Sequence, residues 1–224
     1  MVAIDAGIAL PGHGASFNSK SLIALAAGAT IVLAAGVLAW NGLDDNGLRA
    51  ASAIATRFAS FVFFASIIAG PLCRLFPAKP FRAYGAIRRD LLLAFCASYG
   101  VYIFTIVAPH LLLNEGLTMG MALFAVFSGA ILAMMAGAST GWFATHLGRP
   151  AQRAILAVAA IYFWLIFTLV GLAHLNGPHR PDGYYGFCLL LMVAAVLLRF
   201  ADSFVIHLKT PPTAAVTSQP MTGL

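Results

Sequence analysis

The chain has 224 residues, 61% of them hydrophobic and only 9% charged, and its mean hydropathy is +0.92. A soluble domain carries about 25% charged residues, so this composition excludes a soluble globular enzyme, a disordered chain and a secreted disulfide scaffold. It points to an all-α polytopic membrane protein: at about 20 residues per span, the chain holds a six-transmembrane-helix bundle and no separate soluble catalytic domain.

Residues 1–20 read as an N-terminal cytoplasmic segment. They contain Asp5, and Lys20 comes directly before the first apolar run, which is not the charge order of a cleaved signal peptide. That run is expected to stay as a span. Apolar runs place the six spans at about Ser21–Trp40, Ala51–Leu72, Arg89–Leu113, Leu117–Ser139, Arg153–Leu175 and Tyr185–Leu208. Turn residues separate them at Asn41-Gly42, Asn46-Gly47, Asn114-Glu115-Gly116 and Asn176-Gly177-Pro178. The transmembrane domain therefore covers 21–208. Residues 209–224, rich in Pro, Thr and Ser, read as a flexible C-terminal tail.

The net charge of +6 is distributed unevenly. With six spans, nine basic residues fall on one side: Lys20, Arg74, Lys79, Arg82, Arg88, Arg89, Arg149, Arg153 and Lys209. The opposite loops hold two, Arg49 and Arg180, with Asp44, Asp45, Glu115 and Asp182. This bias predicts that both termini are cytoplasmic and that the basic charge reflects membrane orientation, with no nucleic acid as partner.

Two further arginines fall inside spans. Arg57 lies near the outer end of span two. Arg199 lies in span six, three residues before Asp202 and on the same helical face, so the two are expected to pair near the inner interface. The alternative is that Arg57 or Arg199 meets an anionic group, such as a lipid head group or a haem propionate. Small residues such as Ala34-Ala35-Gly36 and Ala136-Gly137-Ala138 read as close helix packing. Phe61, Phe63 and Phe64, then Tyr162, Phe163 and Trp164, read as core or lipid-facing aromatics rather than a stack on a flat cofactor. Cys73, Cys96 and Cys188 form no CxxC pair and read as small apolar residues.

Six histidines carry the chemical question. His13 and His179 are expected in solvent, and His146 and His207 near the cytoplasmic face. His110 and His174 each follow a basic boundary residue, Arg89 and Arg153, by 21 positions. Both therefore rise about 31 Å above it, to matched depth near the outer interface. Two histidines from different helices at one depth can ligate a haem iron axially or bind another metal. Each can equally sit at a helix C-terminus, where an imidazole is favourable without any ligand.

Gly70-Pro71-Leu72, the basic loop after it, and Arg88-Arg89-Asp90-Leu91-Leu92-Leu93-Ala94-Phe95 resemble the ferric reductase-like transmembrane domain. Within it they are most similar to the haem-binding membrane subunit of the methionine sulfoxide reductase system (MsrQ type). His146-Leu147-Gly148-Arg149 is similar to that family's entry to its fifth helix. The resemblance covers roughly residues 50–175. It implies a six-helix bundle in the bacterial inner (cytoplasmic) membrane, a b-type haem, and electrons from a quinone or flavin partner. It also implies histidines at positions held here by Tyr102, Ile155 and near Thr168. His110 and His174 lie about two turns beyond Tyr102 and Thr168, and would define a displaced site with Arg57 near a propionate.

Two functions follow. One is a membrane electron-transfer protein with heme b between His110 and His174. The other is a haem-free accessory or structural subunit, packing its apolar faces on other integral membrane subunits in the lipid bilayer. A small transporter is a third reading, weakened by spans that are polar mainly near their ends. No hydrolase, phosphate-loop or metalloprotease motif is present.

Overall fold

The computed structural model describes residues 19–76, 78–112, 116–140, 142–146, 148–175 and 183–209. They form eight helices: α1 (Ser19–Asn41), α2 (Asp45–Leu75), α3 (Lys79–Ala86), α4 (Arg88–Leu112), α5 (Met119–Thr140), α6 (Trp142–His146), α7 (Arg149–Leu175) and α8 (Gly183–Lys209). No strand occurs among the described residues. Six helices, all but α3 and α6, are long and apolar enough to cross a membrane. By length and composition this is a multi-pass membrane protein. His13, His179, Glu115, Arg180, Asp182 and the tail from 210 lie outside the described residues.

The helices extend past the apolar runs because polar residues start them. The Asp44 side chain caps α2 by accepting from the Gly47 amide at 2.8 Å, so the helix begins six residues before Ala51. At 31 residues, α2 is about 46 Å long and outreaches the ~30 Å hydrocarbon layer. The basic stretch expected as a loop contains a helix, α3, started by Pro80 in its first turn. It folds back on α2. The Tyr84 hydroxyl donates to the Ala65 carbonyl at 2.6 Å, and burial pushes the phenol's pKa up, which keeps the donor proton in place. Gly85 lies so close to Cys73 that a Cβ there would approach the Cys73 Cβ at 2.7 Å.

The chain threads so that like ends meet. Arg89 at the start of α4 donates to the Thr140 carbonyl at the end of α5, at 3.3 Å. Gln152 at the start of α7 donates to the Ala138 carbonyl of α5, at 2.6 Å. Arg74 at the end of α2 meets Asp202 near the end of α8. These contacts define one end of the bundle, and it carries Arg74, Arg88, Arg89, Arg153 and Arg199. The opposite end carries Asp45, Arg49, Arg57, His110, His174, Tyr184 and Tyr185.

α2 packs on α1, α4 and α8, α4 also on α1 and α5, and α7 on α5 and α8. Phe63, Phe95, Tyr99, Phe163 and Phe167 form the centre, each nearly or fully buried. Lipid tails are as apolar as these rings, so their contribution is close packing rather than removal from water. Ring centroids fall 4.8 Å apart for Phe63–Phe95 and 4.9 Å for Tyr99–Phe163, within the range of favourable edge and tilted contacts. Among the flanking aromatics, Phe63 and Phe163 are core, whereas Phe61 is partly exposed beside Tyr184 and Phe187.

Candidate functional site

The structure places His110, His174 and Arg57 at one end of the bundle, but in two separate environments. Arg57 and His174 come together through α8. The Arg57 guanidinium sits over the Tyr184 ring at 4.7 Å and the Tyr185 ring at 5.8 Å, both cation–π distances. His174 stacks on the other partner, Tyr185, with centroids 4.0 Å apart and planes 15° from parallel. Its Nδ1 lies 2.8 Å from the Val170 carbonyl. A carbonyl only accepts, so Nδ1 carries the proton in this contact. Ser60 completes this cluster, 2.6 Å from the Tyr184 hydroxyl, with its own hydroxyl also donating to the Arg57 carbonyl at 2.8 Å.

His110 is half-buried on α4 and faces elsewhere. It lines a cavity of about 310 Å³ with Asp45, Arg49, Ser52, Thr105 and Met121. None of Arg57, His174 and Tyr185 lines that cavity.

Deeper in the bundle, more than one helical turn below these histidines, the space between α4 and α7 is filled. Phe95 and Tyr99 of α4 meet Phe163 and Phe167 of α7 with ring centroids 4.9–6.3 Å apart. At the positions where the family resemblance implies imidazoles, Tyr102 packs on Tyr99 at 5.1 Å and Thr168 donates to the Trp164 carbonyl at 2.8 Å. His110 and His174 themselves share no cavity: one lines the Asp45–Arg49 cavity and the other lies on Tyr185. Nor do three or more His, Cys, Asp or Glu side chains gather as a metal site among the described residues. The three cysteines are free thiols, Cys96 and Cys188 buried.

The other end holds a cluster that span-by-span reading does not reveal. Arg74, Arg88, Arg89, Arg153 and Arg199, from four different helices, line one cleft of about 400 Å³ together with Gln152 and Ser139. No carboxylate lines it. The nearby buried acid, Asp202, is 5% exposed and is held at two points by Arg74. Arg199, expected beside Asp202 on its own helix, lies within electrostatic reach of it, and Asp202 also takes a partner from α2, Arg74, which ties two helices together. Gly70 matters here because it lacks a side chain. A Cβ at that position would come within 3.3 Å of the Arg88 guanidinium. Four of the five arginines belong to the nine basic residues on one side and Arg199 to span six, and sequence distance hides that they converge.

No family model matches the chain, and no curated protein or solved structure matches it.

Proposed function

We propose that this chain is a haem-free, multi-pass membrane subunit that acts by packing against partner helices rather than by carrying electrons. The observation behind this reading is the aromatic layer of Phe95, Tyr99, Phe163 and Phe167, which fills the space between α4 and α7 where the resembled family would hold its cofactor. A row of large apolar side chains along α8 (Phe187, Leu190, Val193, Leu197, Phe200 and Phe204) is exposed. It recurs every three or four residues and offers a continuous face to lipid or a partner helix. The arginine-rich end faces the cytoplasm, which puts both termini there, and the membrane is the bacterial inner membrane; the charge bias supports the first and the family resemblance the second.

The test is a visible spectrum of the detergent-purified protein, oxidised and then dithionite-reduced, after expression with ample haem. A colourless protein with no pyridine-extractable haem is expected, and His110→Ala and His174→Ala are expected to leave it folded and colourless. A Soret band with reduced α and β bands, lost in both variants, would overturn this reading in favour of a ferric reductase-like electron carrier.

A further inference from the structure

We propose that the arginine-lined cleft and the apolar groove opening from it between α7 and α8 form one binding site for an anionic phospholipid. The arginines would hold its phosphate and the groove one of its acyl chains.

The head-group half rests on charge. The cleft gathers five guanidinium groups, and no acid lines it. Arg88 lies within electrostatic reach of Arg199, Arg74 and the carboxylate of Asp202. Asp90 also sits in the first turn of α4, beside Arg89, but is not part of the lining. Arg88 and Arg89 open α4, so the positive end of that helix's dipole adds to the field of the cleft. Arginine matches a phosphate geometrically, since its planar fork donates two parallel hydrogen bonds to two oxygens.

The chain half rests on continuity. A second cavity of about 400 Å³ is almost wholly apolar and is lined by Ile161, Trp164, Val196 and Phe200. It shares Ile67, Ala160 and Arg199 with the arginine cleft. Arg199 thus stands at the junction, with charge on one side and an open apolar channel on the other. A free phosphate would use only the first half. A diacyl phosphate in the same leaflet uses both, and basic pockets between transmembrane helices are suited to such head groups.

The test is competitive binding to the purified full-length chain in dodecyl maltoside. Dioleoyl phosphatidylglycerol, dioleoyl phosphatidylcholine and glycerol phosphate are titrated in turn, with bound lipid read by native mass spectrometry and the thermal midpoint read in parallel. Phosphatidylglycerol is expected to be retained on the order of tenfold over phosphatidylcholine. That preference is expected to vanish in Arg88→Gln with Arg199→Gln, and to persist in Arg82→Gln, which lies on α3 outside the cleft. Val196→Trp, which fills the groove, is expected to weaken lipid retention. Equal retention of the two lipids by the wild-type protein would overturn the proposal. So would a preference that survives the double arginine variant. Competition by glycerol phosphate as strong as by the lipid, unaffected by Val196→Trp, would assign the cleft to a free phosphate and overturn the lipid site. If the double variant does not fold, the wild-type competition and Val196→Trp decide.

Discussion

Arg74 of α2 and Asp202 of α8 form a two-point ion pair across a helix boundary: Nε donates to Oδ1 at 2.8 Å and Nη2 donates to Oδ2. Asp202 is almost fully buried, whereas the Arg74 side chain is 43% exposed. The pair is therefore neither a weak surface contact nor a fully desolvated one. Removing its acid takes away a carboxylate that Arg74, Arg88 and Arg199 all face. Asp202→Asn is expected to lower stability by about 2 kcal/mol, less than the full penalty for breaking a deeply buried pair, because Arg74 retains access to water. Arg74→Gln with Asp202→Asn should recover part of that loss. Thermal or SDS unfolding in detergent measures both, and strictly additive losses would show that the two side chains are not coupled.

The contact of α3 with α2 makes a sharper steric prediction. A Cβ at Gly85 would lie 2.7 Å from the Cys73 Cβ and 2.8 Å from its Sγ. The first of these atoms cannot swing away, so α3 must shift. Gly85→Ala is expected to cost about 1–3 kcal/mol and to speed hydrogen exchange across 79–86 as the Tyr84–Ala65 hydrogen bond loosens. Adding Cys73→Ala removes the sulfur but not the Cβ, so it should rescue only part of the loss. Unchanged exchange in Gly85→Ala would mean that α3 is not packed this closely.

These two contacts show where sequence reasoning reaches and where it stops. The six spans were legible because each is one continuous apolar run, a purely local property. Their ends were less so: α2 starts at Asp45 because of a cap at Asp44, and α7 starts four residues before Arg153. Helical periodicity relates only residues of one helix, so it points Asp202 to Arg199 but not to Arg74. Arg74 lies 128 residues away in sequence, and only the fold brings it near. His110 and His174 were paired by equal depth, a coordinate along the membrane normal. Depth says nothing of direction across the bundle, and there one imidazole faces the Asp45–Arg49 cavity while the other lies on Tyr185. Convergence of five arginines from four helices is likewise a lateral relationship, which no single span encodes.

The filled centre carries its own prediction. Phe163 is fully buried and touches Phe63, Phe95, Tyr99 and Tyr162. Phe163→Ala is expected to destabilise the protein by about 2 kcal/mol, the cavity cost without the transfer from water, and Phe163→Leu by less, since a branched aliphatic fills part of the void. The ring's neighbours come from α2 and α4 as well as α7, so the effect should appear as loss of cooperative unfolding of the whole bundle. A change confined to the end of α7 would show that the aromatic layer does not join these helices. Phe163→Ala is also expected to remain colourless when expressed with haem, because enlarging the layer supplies no imidazole at Tyr102, Ile155 or Thr168.

Orientation is the last testable consequence, and it bears on both the arginine cleft and the histidines. The fold gathers Arg74, Arg88, Arg89, Arg153 and Arg199 at one end, and α3, with exposed Lys79 and Arg82, closes that same end. Moving so many fixed positive charges across a membrane is costly, so this end is expected to stay on the side of synthesis. With Cys73, Cys96 and Cys188 replaced by Ala, a cysteine at Lys79→Cys should react in intact cells only with a membrane-permeant maleimide. A cysteine at Gly116→Cys, between α4 and α5 at the opposite end, should react with an impermeant reagent added from outside. The reverse pattern would place His110, His174 and Arg57 on the cytoplasmic side and the arginine cleft in the outer leaflet. The phospholipid site would then have to draw its ligand from that leaflet instead.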